Sequence, residues 1–169
     1  MRLRTPVCQF DLKSGVLCAK CEAKLRENII TELDIKIMAA LLDEEKNFIF
    51  LQRSEYSKSL EVSGVVYIFI KFEGDVSHTQ LGVLESRIEN KIRRKVRLFR
   101  DSDNLNEFLS SLISPARIVS ISKIWLPDGS EELGLLIDSK SKLTIPPETL
   151  LELVKKAKDK TIRIRSISS

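Results

Sequence analysis

The chain predicts a mixed α/β fold, and three features of its 169 residues carry that expectation. Apolar stripes at helical spacing alternate with short segments rich in β-branched and aromatic residues. All three cysteines, Cys8, Cys18 and Cys21, fall near the N-terminus. The longest apolar run, Val65-Val66-Tyr67-Ile68-Phe69-Ile70, is far short of the roughly 20 residues that cross a bilayer. With 43% hydrophobic and 31% charged residues, the composition is that of a folded protein rather than a disordered one, and the length suits one ordinary domain or two small ones.

The elements follow in order. Residues 1–26 hold the cysteines and a turn-like Lys13-Ser14-Gly15, and read as a small loop-rich module outside the core. Thr31 suits a helix N-cap, with Asp34 in the capping-box position. Leu33, Ile37 and Leu41 then share one face of a helix that should run to about Glu45. Phe48 to Leu51 reads as a short strand and Ser54 to Ser59 as a polar loop. Val65 to Phe72, bounded by Gly64 and Gly74, predicts a buried central strand.

From about Thr79 a second helix places Leu81, Leu84, Ile88 and Ile92 on one face. Lys95 to Phe99 alternates as a strand, with Val96 and Leu98 on one side and Lys95 and Arg97 on the other. A third helix covers Leu105 to Ile113 and stops before Pro115. Ile118 to Leu126 is a strand that places Trp125 in the core or on a strand face. Pro127-Asp128-Gly129-Ser130 is the turn and Leu133 to Ile137 the returning strand. Pro146 or Pro147 opens a last helix through Lys158, followed by a strand from Thr161 to Ile167. In both halves a helix with a basic end runs directly into a strand with outward cations, which suggests a duplicated α/β unit.

Net charge is only +4, but it is unevenly placed. Arg87, Lys91, Arg93, Arg94, Lys95, Arg97 and Arg100 face a single acid, Glu89, within their own segment. Arg87, Lys91 and Arg94 share a helix face away from the apolar one, and Lys95 and Arg97 continue outward on the strand. Such a surface suits backbone phosphates; the plainer reading is a solvated polar face. Lys155, Lys156, Lys158, Lys160, Arg163 and Arg165 form a second basic set near the C-terminus.

Cys18-Ala19-Lys20-Cys21 has the spacing that lets two thiolates reach one tetrahedral zinc, and Cys8-Gln9-Phe10-Asp11 repeats it with a carboxylate in the second place. Cys8, Asp11, Cys18 and Cys21 are therefore the candidate ligands of a structural Zn2+. Without metal, the same thiols serve as small core residues. Catalytic arrangements are missing. His78, the single histidine, stands in a polar stretch without a motif, and no phosphate-cradling glycine loop occurs. No enzyme activity is expected. The N-terminus lacks the apolar stretch of a secretory signal, which leaves the cytoplasm as the expected compartment.

Taken in order, Gly15-Val16-Leu17-Cys18-Ala19-Lys20-Cys21, Ile30-Thr31-Glu32-Leu33-Asp34-Ile35, Lys95-Val96-Arg97-Leu98, Pro115-Ala116-Arg117 and Pro127-Asp128-Gly129-Ser130 resemble the archaeal KH-domain proteins described as NusA-like or transcription-elongation-factor-like, which carry an N-terminal zinc knuckle. The resemblance implies a zinc-knuckle-like module over 1–26, a KH-like, type II-related module over 27–100 and a second KH-related module over 101–169. It implies RNA as the ligand, a structural zinc and an archaeal cytosol; RNA polymerase or the ribosome is the expected host, and neither a membrane nor a small-molecule substrate is expected as partner. Two features depart from the pattern. KH domains clamp about four nucleotides with a GxxG loop between two helices, but Asp75 to Leu84 contains only Gly82. Asp11 also stands where such knuckles often have cysteine. The function expected is a non-catalytic RNA-binding accessory factor in transcription or on the ribosome; the alternative is a protein–protein adaptor on the same assemblies.

Overall fold

The computed structural model describes residues 2–138 and 143–167. Among them it shows a mixed α/β protein with six α-helices and two three-stranded sheets. The chain divides into two compact units, Met1–Asp101 and Ser102–Ser169. No helix of the described residues is long and apolar enough to cross a membrane.

The first unit begins with two short helices, α1 (Gln9–Ser14) and α2 (Ala19–Arg26). This departs from the expected loop-rich module. Leu3, Val7, Leu12 and Cys21 are buried in the same core as the longer helices, so the N-terminal residues help build that core. α3 (Glu32–Glu44) starts with the predicted capping box: the Thr31 hydroxyl accepts from Asp34 N at 3.1 Å and Asp34 Oδ2 accepts from Thr31 N at 2.9 Å. Its face Ile37, Met38 and Leu41 is fully buried.

Two expectations fail next. Phe48 to Leu51 is not a strand; a 3-10 helix spans Ile49–Arg53. Phe48 and Leu51 are buried three residues apart while Ile49 is exposed, a repeat that suits three residues per turn rather than two. The supposed loop Ser54 to Ser59 lies largely within strand β1 (Glu55–Val62). β1 forms a hairpin with β2 (Val65–Lys71) through Ser63 and Gly64. Both turn residues have positive φ, 52° and 80°, as a tight two-residue hairpin requires.

β2 is the central strand, and its residues Val66 to Ile70 are buried. α4 (His78–Ile92) follows, capped by Ser77, with Leu84 and Ile88 fully buried. β3 (Lys95–Arg100) then pairs in parallel with β2 and completes the order β1-β2-β3.

The second unit repeats this sequence of elements. α5 (Leu105–Ile113) is capped by Asn104. β4 (Ile118–Trp125) and β5 (Glu131–Asp138) form the antiparallel hairpin, with the Asp128 carboxylate accepting from Ser130 N at 2.9 Å in the turn. α6 (Pro147–Lys158) and β6 (Ile162–Ile167) complete the unit, with β6 parallel to β5. Its core gathers Phe108, Leu109 and Leu112 from α5, Leu133, Leu135 and Ile137 from β5, and Leu150 and Val154 from α6. Trp125 is largely exposed rather than core. The order helix, two antiparallel strands, helix, parallel strand is common to both units.

Candidate functional site

The four candidate metal ligands converge. Cys8, Asp11, Cys18 and Cys21 present ligand atoms that all lie within 4.8 Å of one another. Local structure explains why. Cys8 and Cys18 stand at the N-cap positions of α1 and α2, and Asp11 and Cys21 each lie three residues on, in the first turn. Each x2 half-site is thus one helix start, and Gly15, left-handed at φ 80°, turns the chain from the first to the second. Tetrahedral zinc with sulfur bonds near 2.3 Å places its ligands about 3.8 Å apart, so the cluster needs only a small contraction to close on an ion.

Polar contacts already support that geometry. The Cys8 backbone N–H points at Cys21 Sγ, 3.5 Å away, and Cys18 N donates to Asp11 Oδ2 at 3.0 Å. The bond from Cys18 N, helped by the Cys18 and Cys21 thiols, holds the Asp11 carboxyl below its usual range. Burial pushes the Cys21 thiol up to about 12. Asp11 is buried, yet no Lys or Arg pairs with it among the described residues. A cation bound by the cluster would neutralise that carboxylate and convert the thiols to thiolates. The residues fit a metal ion.

The basic segment is placed differently from its sequence pattern. Arg87 Nη1 lies 3.3 Å from Glu44 Oε2, and Lys91 Nζ lies 3.4 Å from Glu44 Oε1 and 3.6 Å from Asp43 Oδ2. Glu44 is 3% exposed, so this is a clasp between α3 and α4 around a buried carboxylate. Burial works to raise the Glu44 carboxyl; the Asn47 and Lys91 hydrogen bonds and the Arg87 and Lys91 charges overcome it and hold the group below its ordinary value. Arg94 pairs with Glu61 of β1. Arg97 lies 5.0 Å from the Phe99 ring centroid. Arg100 donates to the Phe72 and Gly74 carbonyls, at 2.8 and 2.5 Å.

Arg93 and Lys95 are different. Both are exposed, and neither has a partner among the described residues. Arg93 is the left-handed residue that ends α4, with φ 58°, which lifts it out at the corner before β3. In the second unit Lys155, Lys156 and Arg163 pair with Asp159, Glu152 and Glu132. Lys158 donates to Ser102 O at 2.9 Å and lies over Phe108. Lys160 is exposed and unpaired among the described residues.

Sequence reasoning did not find the acids that organise this surface. Asp43, Glu44 and Glu61 lie far from the basic segment in the chain and meet it only through folding. The clamp region is also clear. Asp75 to Ser77 leads directly into α4, Gly82 lies within that helix, and one helix stands between β2 and β3. The unit has no loop between two helices at that place. His78 is the first residue of α4 and exposed.

No family model matches the chain, and no curated protein matches it. A solved structure described as the crystal structure of APE1850 is similar over 60% of this chain and 79% of its own, at 13% identity and a TM-score of 0.47.

Proposed function

We propose that this protein is a non-catalytic RNA-binding accessory factor whose first unit is pinned by a structural zinc ion. Three thiolates and a carboxylate suit zinc, and four protein ligands leave no open position for a reacting group. The observation that carries the RNA reading is the pair Arg93 and Lys95, which stand exposed at the corner between α4 and β3 without an acid to neutralise them. Lys160 occupies the matching corner of the second unit. Cations so placed contact phosphates rather than base edges. Since the first unit lacks a clamp loop, binding is weakly selective for sequence and strongly dependent on salt. The resemblance to NusA-like KH proteins points the same way and suggests transcription or the ribosome as the setting, in the cytoplasm.

The test is charge reversal. Arg93→Glu with Lys95→Glu should weaken binding of a fluorescent oligouridine by about tenfold or more in low salt, with an unchanged far-ultraviolet circular dichroism spectrum. Equal affinity of wild type and variant would remove the corner from the RNA surface. The adaptor reading is favoured instead if neither protein binds the oligomer.

A further inference from the structure

The two units treat the outer edge of the third strand in opposite ways. In a parallel pair, alternate residues of an edge strand turn both backbone groups away from the sheet. In β3 these include Val96 and Leu98, whose partners in the register are Val66 and Ile68. Their outward N–H groups are not left open. Val96 N donates to Glu89 Oε1 and Leu98 N donates to Glu85 Oε1, each at 3.0 Å. Two carboxylates of α4, one turn apart, thus close the edge that β3 would otherwise present.

The same positions in the second unit can be found from the left-handed residue that ends each helix, Arg93 after α4 and Asp159 after α6. Counting back from both matches Leu84 with Leu150 and Ile88 with Val154, and all four are 0% exposed. Glu85 then corresponds to Leu151 and Glu89 to Lys155. Leu151 cannot accept a hydrogen bond, and Lys155 has only donors and pairs with Asp159. Leu133 N donates to Thr161 O at 2.8 Å, which fixes Ile162 and Ile164 as the β6 residues with outward backbone groups. No acceptor for either N–H occurs among the described residues of the unit. Open edges recruit further strands, and this one is flanked by exposed apolar side chains, Leu151 and Ile167, each at 38% exposure.

We propose that β6 is a docking edge for an extended segment of a partner protein that alternates acidic and apolar residues and adds as a fourth strand to the second sheet. The two faces of β6 specify that alternation. Arg163 and Arg165 share one face; Ile162 and Ile164 share the other, toward Leu133 and Leu135. Arg163 is matched by Glu132, whereas Arg165 is exposed without a partner among the described residues. An incoming strand would set its acidic side chains beside the arginines and its apolar ones beside Leu151 and Ile164. A second copy of this chain fits poorly, because pairing β6 with itself sets arginine against arginine on one face, and like charges opposite each other destabilise a ladder. This inference is independent of the RNA reading.

The experiment is a titration of the full chain, with amide resonances of β6 observed by NMR, using a blocked hexapeptide of alternating Glu and Val. Saturable shifts at Ile162 and Ile164 are expected. Leu151→Glu should weaken binding by about tenfold, because it installs against the Ile164 N–H the carboxylate that Glu85 supplies to Leu98. Ile164→Pro removes the outward donor while leaving the bonds to β5 in place, and should weaken binding similarly. Unchanged affinity in both variants overturns the proposal. So does equal binding of the hexapeptide with Lys in place of Glu, or saturation of the same amides by oligouridine. A wild-type dimer in sedimentation that dissociates on Leu151→Glu would make a second copy the occupant and overturn it equally.

Discussion

The first unit and the second arrange helix, hairpin, helix and parallel strand in the same order, yet they are secured by different means. In the first, polar devices join one element to another. The cysteine cluster ties the start of α1 to the start of α2, Glu44 clasps two cations of α4, and Glu85 and Glu89 close the edge of β3. In the second, the equivalent helix carries leucine and lysine at the positions of the edge-closing carboxylates, and α5, β5 and α6 contribute the buried apolar side chains. The contrast shows how one topology tolerates both solutions. It also leaves the outer edge of the third strand closed by carboxylates in the first unit and without them in the second, which is why a docking edge is proposed for the second unit and phosphate contact is centred on the first.

Breaking the metal cluster should separate the units most sharply. Structural zinc contributes roughly 10–16 kcal/mol in isolated zinc-finger peptides; here an apolar core remains, so a loss of about 3–5 kcal/mol from the first unit is expected for Cys21→Ser or on chelation. The single tryptophan, Trp125, reports on the second unit and the two tyrosines, Tyr56 and Tyr67, on the first. Thermal melting followed by both signals should show the tyrosine transition fall while the tryptophan transition holds. A common shift of both, or none, would contradict this division of labour. Metal content of the purified protein should be close to one equivalent per chain.

Removing the clasp comes next. Arg87→Ala with Lys91→Ala leaves Glu44 buried without its cations, and about 3 kcal/mol should be lost from the first unit in urea unfolding. A substitution on a merely solvated face would change stability by under about 0.5 kcal/mol. The two sites therefore separate structural cations from the free pair at Arg93 and Lys95.

A smaller effect distinguishes two glutamates of the same unit by pH. Glu44 titrates below its ordinary value, so its charged form contributes stability that is present at neutral pH and lost as pH falls through the folded value. Glu44→Gln should destabilise at pH 7 and less in acid. Glu85 is shifted the other way, raised first by burial despite the bond from Leu98 and the charge of Arg97. Its contribution is full below the unfolded value and declines as pH rises through the folded one. Glu85→Gln keeps an acceptor for Leu98 without the buried charge, so it should be neutral or stabilising at pH 7 and lose that advantage in acid. Parallel pH profiles for the two variants would contradict the opposite shifts.

Much of the fold was legible because its signals are local. The Thr31 capping box, the stripe of α4, the apolar run of β2 and the Pro127 to Ser130 turn each lie within a few residues of sequence. β1 was not legible, because its polar residues are those of an edge strand and its pairing with β2 identifies it; Ser63-Gly64 was the available clue. In the metal cluster, spacing alone marked the residues, since each half-site is one helix start. The basic surface was misleading for the opposite reason. Charge counted along the chain cannot see Asp43, Glu44 or Glu61, which reach Arg87, Lys91 and Arg94 from other elements.

The proposed function rests on phosphate contact at the exposed corner carrying Arg93 and Lys95. Its most direct test is the affinity of the metal-loaded full chain for oligouridine across a salt series. A straight fall of log affinity with log salt is expected, with a slope contribution of about 0.7 for each phosphate contacted. In the Arg93→Glu, Lys95→Glu variant that slope should be shallower by more than one unit. A flat series, or identical slopes for the two proteins, would contradict it.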